Sequence, residues 1–286
     1  MPSVANNKGS ASSNHHDIGF WRELTVDATS GFIAGSACFV FEGLKKRGQR
    51  NEIQFLDYYR LSNGNLFRVL HPREALRGVS SFAGAVALNA ASGMTFTKCL
   101  RDLSFYDKTS EKHKVGTAIV GGMFGAIFST CAENTIVVQQ EHKMGPVQAW
   151  RHMLKQGARR PFVGLRELMM REAGFIGSIL YFGPRARELT VEKTESQALG
   201  WLSAIGVGAT FAVATHPADT LATWRQKKEG KLSFIGGVKE LYGQGGLNPF
   251  FRGVGSRICL FTGCFLILES LPQEINKRID RLIEKT

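Results

Sequence analysis

Cysteine is scarce in this chain: five residues, scattered, with no CxxC pair. A disulfide framework or a zinc ribbon needs such pairs, so neither fits. Proline is scarce as well, at eight in 286 residues, and the 32 glycines follow no collagen-like period. The chain is therefore neither a proline-rich disordered polymer nor a fibre. There is no nucleophile–base–orienter set, no P-loop and no dinucleotide fingerprint. Nothing points to an enzyme or to a cofactor. His15-His16 is too short for a metal site, and no metal is expected. Acidic residues are outnumbered, 24 against 36 Lys and Arg, which leaves a net charge of +12. Such a balance suits anionic headgroups, anionic solutes or nucleic acid. No clustered basic helix, aromatic stacking motif or finger spacing supports the last, so no nucleic-acid partner is expected.

A mean hydropathy of −0.09 resembles that of a soluble enzyme. The distribution along the chain differs. Uncharged stretches recur at Ala28–Phe41, Val79–Thr97, Val115–Ala132, Ala173–Pro184, Leu199–Pro217 (apart from His216) and Ile258–Leu268. A lone membrane span needs about 20 apolar residues. Only the second, third and fifth stretches approach that. Short spans flanked by charge fit helices around a polar cavity, and equally the buried helices of a soluble bundle. The segment Met1–Asp17 is polar, with no apolar core and no Arg-rich amphipathic pattern. It reads as a disordered tail rather than a targeting segment. The cysteines Cys38, Cys99, Cys131, Cys259 and Cys264 read as helix-packing residues.

A repeat organises these stretches. Gly31-Phe-Ile-Ala-Gly35 precedes Glu42, Lys45 and Gln49. Gly122-Met-Phe-Gly-Ala126 precedes Glu133, Ile136 and Gln140. Gly208-Ala-Thr-Phe-Ala212 precedes Asp219, Ala222 and Gln226. In each, the acid follows the first Gly by eleven residues and the Gln follows the acid by seven. The acids lie 91 and 86 residues apart. Each half then ends on a turn closed by Gly: Pro72–Gly78, Pro161–Gly164 and Pro249–Gly253. The pairs Gly31/Gly35, Gly122/Ala126 and Gly208/Ala212 suit close helix packing, which supplies association energy where burial from water cannot. The expected fold is an all-α membrane protein: three repeats of about 90 residues, six transmembrane helices in a pseudo-three-fold bundle, and short surface helices on one side. The expected organisation is a disordered polar tail 1–20, repeats 21–107, 108–195 and 196–272, and a charged tail 273–286.

This register resembles the mitochondrial carrier family from about Trp21 to Leu271. That family's odd helices end in Pro-x-[Asp/Glu]-x-x-[Lys/Arg], followed by Gln. The first repeat has Val40, Glu42, Lys45 and Gln49. The second has Cys131, Glu133, Ile136 and Gln140. The third has Pro217, Asp219, Ala222 and Gln226. The acids and glutamines survive, while two prolines and two bases are lost. The resemblance implies alternating access across the mitochondrial inner membrane, with a matrix gate of acid–base pairs braced by the glutamines. The gate residues would be Glu42, Lys45, Gln49, Glu133, Gln140, Asp219 and Gln226. With Lys45 the only base in register, and Arg47 and Arg225 nearby at shifted spacing, a weak, unbalanced gate is expected. The aromatic-acid-x-x-base motif of the opposite gate is missing, and Lys98 stands where an acid would be expected.

The resemblance also places substrate contacts midway along the even helices. Counting seven and eight residues from the opening Gly gives Ala85 and Val86, Arg171 and Glu172, and Leu260 and Phe261. Arg171 suits a carboxylate or phosphate, and Glu172 an ammonium or Arg171 itself. An Arg–acid pair goes in the family with keto acids or amino acids. Counting backward from Tyr181-Phe182 gives Ala173-Gly174 instead, which would leave room for an adenine ring. Asn89 and Lys98 are further candidates for the cavity wall. Arg171 and Glu172 could alternatively form a surface pair. The expected partner is a small anionic solute, adenine nucleotide first, with a carboxylate, keto acid or amino acid as the alternative. Anionic lipid, cardiolipin from the resemblance, and a monomeric state are also expected. Two rival classes stand beside transport: a carrier-derived scaffold or receptor that no longer transports, and a soluble helical bundle.

Overall fold

The computed structural model describes residues 10–49, 78–103, 106, 107 and 109–284, and among these only helices, turns and connections occur. Two long helices are unbroken because no proline interrupts them: α1 (Ser10–Gln49) and, with α2 (Val79–Asn89) and α3 (Thr95–Arg101) between, α4 (Glu111–His142). A π-turn, Ala90–Met94, joins α2 to α3. The short helix α5 (Pro146–Lys155) leads to α6 (Leu165–Gly177), which a second π-turn, Ser178–Phe182, links to α7 (Gly183–Thr194). Then α8 (Gln197–Ala214) breaks from α9 (His216–Lys227) at Pro217. Proline sits there in the first turn of α9, where a helix needs no N–H. The short α10 (Phe234–Gly243) precedes α11 (Val254–Ile283), which runs through Pro272.

Neighbours pack in chain order: α1 on α2, α2 on α4, α4 on α6, α7 on α8 and α8 on α11. The last helix returns to the first, since α11 also packs along α1 and closes a ring. One contact recurs around it. Gly78, Gly164 and Gly253 open α2, α6 and α11 with φ of 100°, 86° and 81°, a backbone region that disfavours any side chain. A Cβ on each would meet Ile136 of α4, Ala222 of α9 and Lys45 of α1 respectively. Those three residues are the ones three positions after the aligned acids.

The packing pairs differ in closeness. A Cβ on Gly31 would lie 2.8 Å from Ala87 Cα, and one on Gly35 2.7 Å from Ala83 Cα, so α1 and α2 touch backbone to backbone. One on Gly122 would lie 2.9 Å from Ala173 Cα of α6. Gly208 has more room, with Phe265 no nearer than 3.7 Å. Ala126 and Ala212 are fully buried.

The bundle is inside-out by the standard of a soluble protein. Charged side chains such as Asp27, Glu42, Lys45, Lys46 and Asp219 are buried, while Phe32, Ile33, Val120, Phe128, Leu199 and Leu202 are exposed. Four helical segments are long and apolar enough to cross a membrane: Gly19–Lys46, Glu111–His142, Gln197–Ala214 and Asn248–Ile283. Apolar flanks around a polar interior suit a lipid surround and argue against the soluble-bundle alternative. The stretches Val79–Thr97 and Ala173–Pro184 lie on the segments interrupted by π-turns.

One expectation on the termini needs revision. Helix α1 begins at Ser10, inside the segment 1–20 read as a disordered tail. Once a helix is nucleated, each added residue gains a backbone bond, so it extends past its apolar part. The charged tail 273–286, expected to be helical, is so as far as Ile283, where α11 ends. The expected surface helix of the first repeat and most of the turn Pro72–Gly78 lie outside the described residues.

Gly35→Val should lower stability by about 1–3 kcal/mol, because backbone cannot move aside as a flexible side chain can. Gly208→Ala should leave it nearly unchanged. Thermal unfolding in detergent micelles compares them, and equal losses would contradict the close approach of α1 and α2.

Candidate functional site

Where α1, α4, α6, α9 and α11 converge, buried charges meet. Glu42 and Lys45 are three residues apart on α1, which puts them on one helix face, and their ion pair measures 2.7 Å. Lys45 also reaches Asp219 of α9 at 3.1 Å. Lys46 lies 3.5 Å from Glu133 of α4 and 3.7 Å from Glu42, and donates to Thr223 Oγ1 at 2.8 Å. Arg171 of α6 donates to Glu133 Oε2 and to Asp219 Oδ1, both at 2.8 Å, and to Glu172 Oε1 at 2.6 Å. Arg257 of α11 pairs with Asp219 Oδ2 at 3.1 Å, and bonds Ala212 O at 2.9 Å and Thr215 Oγ1 at 2.7 Å. Four carboxylates (Glu42, Glu133, Glu172, Asp219) thus face four cations (Lys45, Lys46, Arg171, Arg257), all buried.

A cavity of about 50 Å³ adjoins this cluster. Its lining includes Glu42, Lys45, Glu133, Arg171, Glu172 and Arg257, with Asn89 and Phe82 from α2 and Cys264 from α11. Asn89 Nδ2 donates to Glu172 Oε2, and Asn89 Oδ1 is buried without a partner among the described residues. A second cavity, of about 600 Å³, lies toward the other end. Asp27, Lys98, Arg187, Glu269 and Asn276 help to line it. Asp27 precedes Glu42 by fifteen residues of α1, about 22 Å along a helix axis. At this end Lys98 bridges to Asp27 at 3.1 Å and to Glu23 at 3.2 Å, and Arg187 lies 3.7 Å from Glu269.

No protein-family model matches the chain. The chain is similar to the mitochondrial glycine transporter of Xenopus laevis, 28% identical over 174 residues, covering 59% of this chain and 49% of the relative. It is also similar to the mitochondrial glycine transporter of Xenopus tropicalis, 36% identical over 103 residues, 34% of each chain. The chain thus spans about half or about a third of the length of these curated relatives. Both relatives are named as mitochondrial transporters.

Against the carrier register, the structure brings much together. Ala85, Val86, Arg171, Glu172, Leu260 and Phe261, the six positions counted from the opening glycines, all line the small cavity. Asn89 joins them, while Lys98 lines the wide cavity instead. Ala173 and Gly174 do not line the small cavity. Ala173 packs against Gly122, and a Cβ on Gly174 would meet Thr215 at 2.8 Å and Phe211 at 3.2 Å. A helix turns about 100° per residue, so the cavity face occupied by 171, 172 and 175 excludes 173 and 174. Arg171 and Glu172 are buried, which rules out the surface-pair alternative.

The expected imbalance of three acids and one base is corrected. Lys46, Arg171 and Arg257 supply the other cations. Arg225 pairs with Glu167 instead and donates to Leu232 O at 3.1 Å. The side chain of Arg47 lies outside the described residues. Of the glutamines, only Gln49 braces the cluster, donating to Asp219 Oδ2 at 2.6 Å and accepting from Thr223 Oγ1 at 2.9 Å. Gln226 donates to Val163 O at 3.2 Å, and Gln140 Oε1 is buried without a partner among the described residues. Sequence reasoning missed Lys46 and Arg257. One signal was available for Arg257, the last charge before an uncharged stretch.

Removing one member of a buried ion network leaves its partners uncompensated. Arg171→Ala should therefore lower stability by roughly 3–5 kcal/mol. Arg185→Ala removes an exposed pair with Glu188 and should leave the melting temperature unchanged. Thermal unfolding of both variants in micelles checks this, and equal melting points would remove Arg171 from the centre of the cluster.

Proposed function

We propose that the chain carries a small zwitterionic amino acid, with glycine as the first substrate to test, across the mitochondrial inner membrane by alternating access. The observation that carries this reading is the charge-balanced cluster beside a cavity of about 50 Å³. At about 10–15 Å³ per water site, that space holds only a few water-sized groups. An adenine nucleotide is several times larger. It also carries several negative charges into a site whose cations are already matched. A zwitterion adds no net charge, offering a carboxylate to Arg171 or Arg257 and an ammonium to Glu172 or Glu42. The name of the two Xenopus relatives agrees with this class.

Three repeats and six spans are part of the proposal. The glycine contact recurring on Ile136, Ala222 and Lys45 supports them, as does the closed ring of helices. The cluster serves as the gate at one end, and the 600 Å³ cavity is the entrance at the other. The pairs Lys45–Asp219, Lys46–Glu133 and Arg171–Asp219 join different helices, so parting those helices exposes unmatched charge. A bound zwitterion substitutes its own charges for those being separated. Differential interaction of this kind favours the open arrangement only when cargo is present. Such a gate favours exchange over leak. The net charge of +12 suits a monomeric bundle among anionic lipids.

Uptake into liposomes holding the purified chain tests the reading. Saturable glycine uptake, faster with glycine inside and absent for ATP, is expected. Ala85→Val, which narrows the lining, should raise KM for serine more than for glycine. Saturable ATP uptake instead would overturn the substrate class. Uptake of no solute from a panel of amino, keto and carboxylic acids would favour a carrier-derived scaffold.

A further inference from the structure

Away from the central cluster, the end of α4, the helix α5 and the turn after α9 bring three potential ligands together. One ligand atom each of His142, His152 and Glu229 lies within 4.8 Å of the other two. The two imidazole rings are 4.8 Å apart between centroids, and His142 Nε2 is 3.9 Å from Glu229 Oε1. His142 is exposed and the other two are half-buried, so the group is open to ions from solution.

Gln156 shows where the lone pairs point. Its Nε2 lies 2.9 Å from His152 Nε2 and 3.2 Å from Glu229 Oε1. An amide nitrogen offers hydrogens and no lone pair. An imidazole lone pair and a carboxylate oxygen therefore converge on one electropositive group. The Gln156 Oε1 is turned away and accepts from Arg160 Nε at 3.0 Å. The other oxygen of Glu229 pairs with Lys231 at 3.2 Å, which leaves Oε1 for this convergence.

We propose that His142, His152 and Glu229 form a binding site for a divalent transition-metal ion of the zinc type. Two imidazoles and one carboxylate match the preferences of zinc, and they disfavour calcium and magnesium, which take oxygen ligands. Three protein ligands plus one water complete a tetrahedron. Metal–ligand bonds of about 2.0–2.1 Å place neighbouring ligand atoms about 3.3 Å apart. The side chains must close by roughly 1.5 Å, which rotation of the exposed His142 and smaller shifts of the half-buried His152 and Glu229 allow as Gln156 withdraws. His142 belongs to α4, the helix of Glu133, and Glu229 follows α9, the helix of Asp219. The ion would tie together the ends of these two helices, both of which also enter the charge cluster. The assignment rests on this geometry and not on the transport reading.

The test uses the untagged full chain in detergent, stripped of metal, titrated with zinc against a competing zinc indicator. One zinc per chain is expected. His142→Ala and His152→Ala should each weaken binding about tenfold or more, Glu229→Gln should weaken it less, and His113→Ala should leave it unchanged. Zinc should also raise the melting temperature of the parent chain and not that of the two histidine variants, whose melting without zinc should match the parent. No binding at tens of micromolar zinc, or equal affinity in the parent and both histidine variants, would overturn the proposal.

Discussion

Arg171 holds the centre of this molecule. Its guanidinium reaches carboxylates on α4, α6 and α9 at once, which a point-charge ammonium could not match in geometry. Away from water a charge is tolerated only when paired and hydrogen-bonded. The positions of Glu133, Glu172 and Asp219 are therefore tied to one another through this side chain. Lys45, Lys46 and Arg257 complete the compensation from α1 and α11. Five helices are committed to a single network, and the small cavity beside it inherits its polarity.

Around the network, packing works by closeness rather than by expulsion of water. Gly31 and Gly35 let α1 lie on the backbone of α2, while Phe32 and Ile33, their chain neighbours, face outward. A helix whose small residues face in and whose aromatics face out is uncomfortable in water and comfortable in lipid. The same division explains why mean hydropathy is uninformative here: it averages apolar outer faces with charges buried between the helices.

Much of this was legible in the sequence because register is preserved along a helix. The acids follow the small pairs at fixed spacing, and the count of seven and eight from each opening glycine reached the cavity wall. The phase of α6 was also available in principle, since Ala173 and Gly174 point about 200° and 300° away from Arg171. What spacing could not show was which cations approach the acids from other helices. Lys46 belongs to no register position, and Arg257 approaches from α11. Gln226 carries the expected side chain but donates to Val163 O rather than to the cluster. His142, His152 and Glu229 span 87 residues of sequence, and only the fold makes them adjacent.

The glycines that open α2, α6 and α11 have one more consequence. Gly78 rests on α4, Gly164 on α9 and Gly253 on α1. A head-to-tail contact of this kind can repeat indefinitely as a filament unless its rotation closes. Here the third contact returns to α1, so closure comes from an angle rather than from an end cap. Because the segments belong to one chain, closure does not demand identity. The residue under each glycine is free to be Lys45, Ile136 or Ala222. A true trimer would present the same side chain three times on its axis. This ring presents a different one under each of the three glycines.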